Sequence, residues 1–216
     1  MLLLTNVVPA ADLSRIAAEL ADASWKDGAS TAGAMAREVK RNLQARGVQR
    51  LETFVADALR RHPVFEMAAR PRKLSRIMFS RYQRGMEYGP HTDDALMGEE
   101  ADPLRTDLAF TLFLSDAATY DGGALIIDGA AGEQAVKLAA GDCVLYPAGS
   151  IHRVEPVTRG ERLAAVGWVQ SVVRDASRRE VLFDLANVRA RMKAPREDLL
   201  LLDKSIGGLL RMWSEP

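Results

Sequence analysis

The sequence is poor in the two residue types that most often build cross-links and metal cages. Its 216 residues include one cysteine, Cys143. A single thiol excludes an internal disulfide and any metal site made of several cysteines. Histidine occurs three times, at His62, His91 and His152. Any chemistry that needs imidazole must therefore draw on these three side chains.

The sequence also has no excess of charge and no long apolar run at its start. Lys plus Arg total 29, as do Asp plus Glu, so the formal net charge is zero. Proteins that coat nucleic acid or an anionic membrane need a basic excess, and we expect neither partner. The apolar run at Leu2 is broken by Thr5 and Asn6 and is too short for a signal peptide or a spanning helix. We expect a first strand there, in a cytoplasmic protein, which the lone thiol also favours.

The residues that are present indicate a folded protein with a full core. Apolar types make up 48% and charged types 27% of the chain, which is typical of globular proteins. Apolar residues at helical spacing predict helices within 9–70, including a helical stretch from about 35 to 61 that is interrupted near Gly47. Short apolar runs separated by Gly, Pro and Asp predict a β core over 74–172. We therefore predict a mainly β fold with flanking helices.

Helical patterning returns after the β core. We predict one domain over residues 1–173 and a helical C-terminal extension over residues 174–216. The extension has more apolar residues than a short tail needs for its own packing. We therefore predict that the C-terminal helices form a homodimer contact.

Two of the histidines lie in the predicted β region, and one of them has a carboxylate beside it. His91 and Asp93 are two residues apart, and side chains at i and i+2 project to the same side of an extended chain. Asp94 would point to the opposite face. A third ligand must come from another strand, for which His152 is the remaining candidate. Two imidazoles and one carboxylate form the facial triad of non-haem Fe(II) oxygenases, which leaves positions open for chemistry.

An arginine follows the second of these histidines by ten residues, at Arg162. If the chain turns between Pro156 and Gly160, the next strand returns antiparallel beside the His152 strand and brings Arg162 to the metal end. A guanidinium there can hold a carboxylate with two hydrogen bonds. The charges of Fe(II), Asp93, a 2-oxo-dicarboxylate and Arg162 sum to zero, as a buried site requires.

The segments around these residues resemble the PKHD-type hydroxylases, which are bacterial Fe(II)/2-oxoglutarate dioxygenases related to prolyl 4-hydroxylases. A His-x-Asp pair alone would be weak evidence, but here it is joined by a distal histidine and an arginine ten residues further on. The resemblance runs from the N-terminal helices to the C-terminal tail, and the segments that carry it most clearly lie at 80–93, 105–115, 120–123, 137–147, 152–162 and 168–175.

The resemblance implies a double-stranded β-helix (jelly-roll) core and a hydroxylase that uses O₂. It implies His91, Asp93 and His152 as the iron ligands, with no catalytic residue beyond them. It implies Arg162 as the partner of the 2-oxoglutarate C5 carboxylate and Tyr82 as a second co-substrate contact. It also implies ascorbate as a reductant and a peptidyl or small-molecule substrate, and some relatives are associated with iron or siderophore metabolism.

Two other functions stay open at this point. A cupin-like metal enzyme would work without 2-oxoglutarate, but cupins usually add a further imidazole and would leave Arg162 without a purpose. A non-catalytic metal-binding sensor would need the same ligands, but their full retention argues for an enzyme. We also expect the acidic loop from Met97 to Pro103, with Glu99 and Glu100, to cover the mouth of the pocket.

Overall fold

The computed structural model describes residues 1–98 and 101–215, so Glu99 and Glu100 of the predicted loop lie outside the described residues. The helices are α1 (Ala10–Ala21), α2 (Ala34–Glu38), α3 (Gln49–Arg61), α4 (Pro63–Ala69), α5 (Ala176–Arg191) and α6 (Arg196–Trp213), with a 3-10 turn at Gly28–Thr31. The strands are β1 (Leu2–Leu4), β2 (Ser24–Asp27), β3 (Lys40–Arg41), β4 (Leu43–Arg46), β5 (Pro71–Leu74), β6 (Met78–Gln83), β7 (Glu87–His91), β8 (Leu96–Met97), β9 (Leu104–Arg105), β10 (Leu108–Phe113), β11 (Asp121–Gly122), β12 (Leu125–Gly129), β13 (Gly132–Val136), β14 (Cys143–Pro147), β15 (His152–Val154), β16 (Val157–Arg159) and β17 (Glu161–Ser171).

Two antiparallel sheets form the centre of the molecule. The larger sheet has the order β1-β14-β10-β17-β6-β4-β2, and β5 also pairs with β17. The smaller sheet has the order β13-β12-β15-β7-β3, and β11–β16 and β8–β9 form separate short pairs. The sheets and the helices at both ends of the chain confirm the predicted mainly β architecture with flanking helices.

Strand β10 shows how the core is divided between the two faces of the larger sheet. All six of its residues are buried. Leu108, Phe110 and Leu112 pack in the cluster that contains the helices α1, α3 and α4. Ala109 and Phe113 pack in a second cluster that joins the two sheets. Because alternate side chains of a strand face opposite ways, a strand covered on both faces reads as one continuous apolar run.

The predicted helix over residues 35–61 is wrong in its first half. Helix α2 ends at Glu38, the chain then forms β3 and β4, and α3 begins at Gln49. Strand β3 pairs with β7 of the smaller sheet, and β4 pairs with β6 of the larger one. These pairings satisfy backbone donors and acceptors that would otherwise be left at the two sheet edges. Local helical spacing is a weak preference beside them.

The C-terminal helices are tied back to the β region. Leu182 of α5 is fully buried, and the Arg179 guanidinium donates to the backbone oxygen of Val173 at 2.8 Å. Beyond α6, the Glu215 carboxylate pairs with Arg105 at 2.6 Å. The division of the chain at residues 173 and 174 stays a prediction. Among residues 1–98 and 101–215, no helix has the length and apolarity needed to span a bilayer.

Candidate metal centre

Three potential ligands meet at the junction of β7 and β15. These strands are paired so that His91, at the end of β7, lies opposite His152, at the start of β15. Asp93 follows two residues after His91. One ligand atom from each of the three side chains can be chosen so that all lie within 4.8 Å of one another. The fold therefore brings together the three residues that the sequence analysis singled out.

Backbone carbonyls fix the orientation of both imidazoles. His91 Nδ1 lies 2.8 Å from the oxygen of Gly89, and His152 Nδ1 lies 3.0 Å from the oxygen of Ser150. Since a carbonyl oxygen only accepts, each Nδ1 must carry the hydrogen, which leaves each Nε2 with a free lone pair. A neutral imidazole held in this way is the usual form of a metal-ligating histidine.

The electrostatics of the three side chains favour a bound cation. Burial, together with the neighbouring His152, lowers the pKa of His91 to about 3, so its imidazole is neutral at pH 7. Burial raises the pKa of Asp93, and the nearby His152 opposes that rise. Within residues 1–98 and 101–215, Asp93 Oδ2 is buried without a partner at hydrogen-bond geometry, although the Trp168 indole lies nearby. A buried, unpartnered carboxylate oxygen is costly, and a divalent cation would supply the missing partner.

Arg162 faces the same cavity from the larger sheet. On β17 it lies opposite Tyr82 of β6. The residue is 1% exposed, and its Nε and one terminal nitrogen have no hydrogen-bond partner in the part of the chain that the structure describes. The guanidinium carbon lies 5.2 Å from the ring centres of both Tyr82 and Phe113. A buried, incompletely bonded guanidinium between two aromatic rings is a ready site for a carboxylate.

The route by which Arg162 reaches the cavity differs from the predicted one. Strand β17 does not return beside β15, because it pairs with β10 and β6 of the larger sheet. The short strand β16 intervenes and pairs with β11. Arg162 therefore faces the triad across the space between the sheets.

Tyr82 shares a buried wall with Arg162. Burial raises the pKa of its phenol, and the charge of Arg162 and the nearby Asn42 carboxamide counteract part of that rise. Burial also raises the pKa of the Tyr120 phenol, and the charge of Arg162 opposes that rise. The Tyr120 hydroxyl is buried without a hydrogen-bond partner among the described residues. The two phenols are thus neutral groups that can donate a hydrogen bond to a ligand held at Arg162.

Sequence reasoning missed one wall of the cavity. Lys40 and Asn42 line it together with Tyr88. The Tyr88 ring stacks on the His91 imidazole, with the ring centres 3.6 Å apart. Lys40 and Asn42 lie in the stretch that was predicted to be helical. The sequence did contain one indication of a strand, because the polar residues Lys40 and Asn42 are spaced two apart, which is the period of a strand.

Two neighbouring side chains lie outside the triad. Asp94 is exposed and its carboxylate packs against Gly33, where an added Cβ would lie 2.8 Å from it. Met97 contributes to the cavity lining, but the rest of the predicted acidic cover includes the two undescribed residues. His62, the remaining histidine, accepts from the backbone nitrogen of Phe65 at the start of α4. Its role is therefore structural.

Comparisons with known proteins agree with this geometry. Residues 77–170 match the model of the 2OG-Fe(II) oxygenase superfamily. A PKHD-type hydroxylase from a Synechococcus strain is 48% identical over 222 aligned positions, which cover 100% of this chain and 99% of the relative.

Solved structures share the fold at much lower identity. A Trichoplax adhaerens prolyl hydroxylase, solved with a hypoxia-inducible-factor peptide, has a TM-score of 0.60 at 12% identity and covers 86% of each chain. HygX from Streptomyces hygroscopicus, solved with nickel and 2-oxoglutarate, has a TM-score of 0.57 at 13% identity, covering 80% of this chain and 83% of its own. These neighbours confirm the jelly-roll core. The full-length similarity to the Synechococcus relative shows that the chain belongs to the PKHD-type hydroxylase family of 2-oxoglutarate-dependent Fe(II) dioxygenases.

Proposed function

We propose that this enzyme hydroxylates an unactivated C–H bond of its substrate while converting 2-oxoglutarate and O₂ into succinate and CO₂. One oxygen atom enters the new hydroxyl group and the other enters succinate. In this proposal Fe(II) is held by His91, Asp93 and His152, and 2-oxoglutarate is held by Arg162 and Tyr82. The observation that carries the proposal is the pairing of two buried, incompletely bonded groups in one cavity, the Asp93 carboxylate and the Arg162 guanidinium.

Each side chain has a separate task in this mechanism. When bound, Fe(II) supplies the redox chemistry with O₂ that amino-acid side chains cannot perform. The triad presents its ligand atoms from one side and leaves the other side free for the co-substrate. Arg162 fixes the far carboxylate of 2-oxoglutarate, so the keto acid end points toward the triad. Apolar residues such as Phe113 and Leu125 keep bulk water from the reacting groups.

Anaerobic titration with Fe(II) and 2-oxoglutarate tests the assignment. We expect a visible metal-to-ligand charge-transfer band in the wild-type enzyme and its loss in Asp93→Ala. A cupin-like enzyme that does not chelate 2-oxoglutarate would show no band. Admission of O₂ then separates a catalyst, which forms succinate, from a silent sensor, which keeps the band and forms none.

Ascorbate as the reductant and a role in iron or siderophore metabolism are further parts of the proposal. Both rest on the family alone. The first predicts that the number of turnovers before inactivation rises with ascorbate. An enzyme whose total succinate yield is the same without ascorbate would contradict it.

We also propose that the C-terminal helices form a homodimer contact. Several large apolar side chains of α5 and α6 are exposed, among them Val188, Leu201 and Met212. Exposed apolar groups on adjacent helices commonly mark an association surface. Sedimentation velocity of the full chain should show a dimer that Leu201→Glu weakens, and a monomer at micromolar concentration would contradict the proposal.

A further inference from the structure

Lys40 places a buried positive charge on the wall of the cavity. The residue is 7% exposed, and its Nζ makes one hydrogen bond, to the Thr31 hydroxyl at 3.0 Å. Within residues 1–98 and 101–215, no carboxylate oxygen lies within 4.0 Å of this nitrogen. An ammonium group has three hydrogens to donate. Two of them are therefore left without an acceptor from the described chain.

Asn42 adds a second unsatisfied group to the same wall. It is 3% exposed, and among the described residues neither its Oδ1 nor its Nδ2 has a partner with hydrogen-bond geometry, although the Tyr82 hydroxyl lies nearby. It stands two residues after Lys40, so both side chains project to the same side of the extended segment. The backbone of Gly28 covers the carboxamide so closely that a Cβ there would lie 1.9 Å from Oδ1. Both polar groups are thus enclosed and point to a missing ligand.

The position of Lys40 links this wall to the triad. Lys40 lies opposite Tyr88 in the pairing of β3 with β7, and its Nζ is 5.0 Å from the centre of the Tyr88 ring. The same Tyr88 ring also stacks on the His91 imidazole. A single aromatic ring therefore connects the ammonium with a ligand of the proposed metal. A molecule bound at Lys40 would lie within the reaction cavity and not on the outer surface.

The charge balance of the cavity predicts the sign of that molecule. In the proposed function, the charges of Fe(II), Asp93, 2-oxoglutarate and Arg162 already sum to zero. Lys40 adds one positive charge that none of these groups offsets. Two further carboxylates lie nearby, Asp27, whose charge acts on Lys40, and Asp94 on the cavity lining, but both residues are exposed and water screens their charges. A buried charge without a counter-charge is strongly unfavourable. One negative charge, supplied from outside the protein, restores neutrality.

We propose that Lys40, assisted by Asn42 and Thr31, is a specificity-determining site that binds a carboxylate of the substrate. This inference rests on the proposed function and names the substrate class, a carboxylic acid. A carboxylate carries the single charge that the balance requires and has two oxygens for the free ammonium and carboxamide hydrogens. A phosphate monoester, with a charge of about −1.5 to −2 at pH 7, would overcompensate.

Equilibrium dialysis with matched ligand pairs tests this site. The probes are N-acetyl amino acids and their C-terminal amides, offered to the full chain loaded anaerobically with Fe(II) and saturating 2-oxoglutarate. Saturation with 2-oxoglutarate keeps the probes from Arg162. We expect the wild type to bind at least one acid about tenfold or more tightly than its amide, because a charge-assisted contact is lost in the amide.

Substitutions at two adjacent positions assign the preference to one side chain. Lys40→Met keeps the length of the side chain and removes its charge, and we expect it to bind the acid and the amide equally. Lys40→Arg should retain a preference for the acid. Arg41→Gln is the matched control, because Arg41 is the exposed neighbour on the same strand, and it should behave as the wild type. Unchanged melting temperatures would show that the variants fold.

The outcomes separate this inference from the function on which it rests. A wild type that binds no acid in preference to its amide, or a Lys40→Met variant that keeps the preference, overturns the carboxylate site. The charge-transfer band of Fe(II) and 2-oxoglutarate is read in the same samples. If the band is present in the wild type and in Lys40→Met, a failed preference counts against the site alone. If the wild type shows no band, the proposed function itself fails.

Discussion

Replacement of Arg162 by methionine is expected to stabilise the ligand-free protein while removing its response to 2-oxoglutarate. Arg162 is 1% exposed, and two of its nitrogens find no hydrogen-bond partner among the described residues. Methionine has a similar length, is apolar and adapts its shape to an irregular space. The substitution therefore removes a buried charge without leaving a large cavity.

The size of the effect follows from two opposing contributions. Leaving a buried donor unsatisfied costs about 1–3 kcal/mol, and more when the group is charged. The attraction of the guanidinium to the rings of Tyr82 and Phe113 stabilises the wild type by about 0.5–1 kcal/mol for each ring, and the methionine variant loses it. With two unsatisfied nitrogens, we expect Arg162→Met to raise the free energy of unfolding by about 1–3 kcal/mol. For a chain of this length, that corresponds to a rise in Tm of roughly 2–12 °C.

The order of stability should reverse when the co-substrate is added. A ligand at 1,000 times its Kd stabilises the protein that binds it by about 4.1 kcal/mol, which exceeds the gain expected from Arg162→Met. Only the wild type should gain this amount from 2-oxoglutarate, since Arg162→Met lacks the partner of the C5 carboxylate. Thermal unfolding followed by circular dichroism, under argon with Fe(II), measures both states.

The control for Arg162→Met is Arg159→Met. Arg159 is an exposed arginine paired with Asp121 at the surface, where ion pairs contribute little to stability. It should change neither Tm nor the response to 2-oxoglutarate. If Arg162→Met melts below the wild type without 2-oxoglutarate, the buried-charge reasoning is wrong. Equal stabilisation of both proteins by 2-oxoglutarate would remove Arg162 from its proposed role.

Two further predictions concern the triad and the last residue of β11. Asp93→Asn should weaken Fe(II) binding about tenfold or more. Loss of a residue that only hydrogen-bonds to a metal ligand already weakens metal binding by about 10–100-fold, and loss of a ligand should cost at least as much. Asp94→Asn should bind Fe(II) as the wild type does, and equal weakening in an anaerobic titration would contradict the ligand assignment. Gly122→Ala should lower the Tm by at least about 4 °C, since Gly122 has a φ of +69° and a Cβ there would lie 2.1 Å from the Pro156 oxygen. Gly149→Ala, whose Cβ would meet nothing within 4 Å, is its control, and similar melting of both variants would refute the steric argument.

The parts of the site that could be predicted from sequence are those set by short-range geometry. His91 and Asp93 share one side of the chain because they are two residues apart. The scarcity of histidine then left His152 as the remaining imidazole, and the pairing of β7 with β15 places it opposite His91. Continuous apolar runs such as that of β10 also predicted strands. All residues of β10 are buried, because both of its faces are covered.

The parts that could not be predicted depend on which strands become neighbours. The position of Arg162 ten residues after His152 suggested a simple hairpin, yet β15 and β17 belong to different sheets. A turn sequence fixes where a chain reverses but not which sheet the next strand joins. That choice is made by burial of side chains such as Ala164 and Ala165 in the completed core. Arg162 still faces the cavity because both sheets turn one face inward.

The failed helix prediction and the new binding site have one physical origin. The side chains of Lys40, Asn42 and Gln44 are buried at alternate positions. These polar residues therefore follow the two-residue period of a strand. Hydrophobic periodicity cannot detect it, because that method assumes that the buried face is apolar. A segment that buries polar groups without hydrogen-bond partners lowers the stability of the fold. In natural proteins such segments are expected at functional sites, where a ligand supplies the partners. The segment at which the sequence pattern misled is therefore the segment at which we place the recognition of substrate.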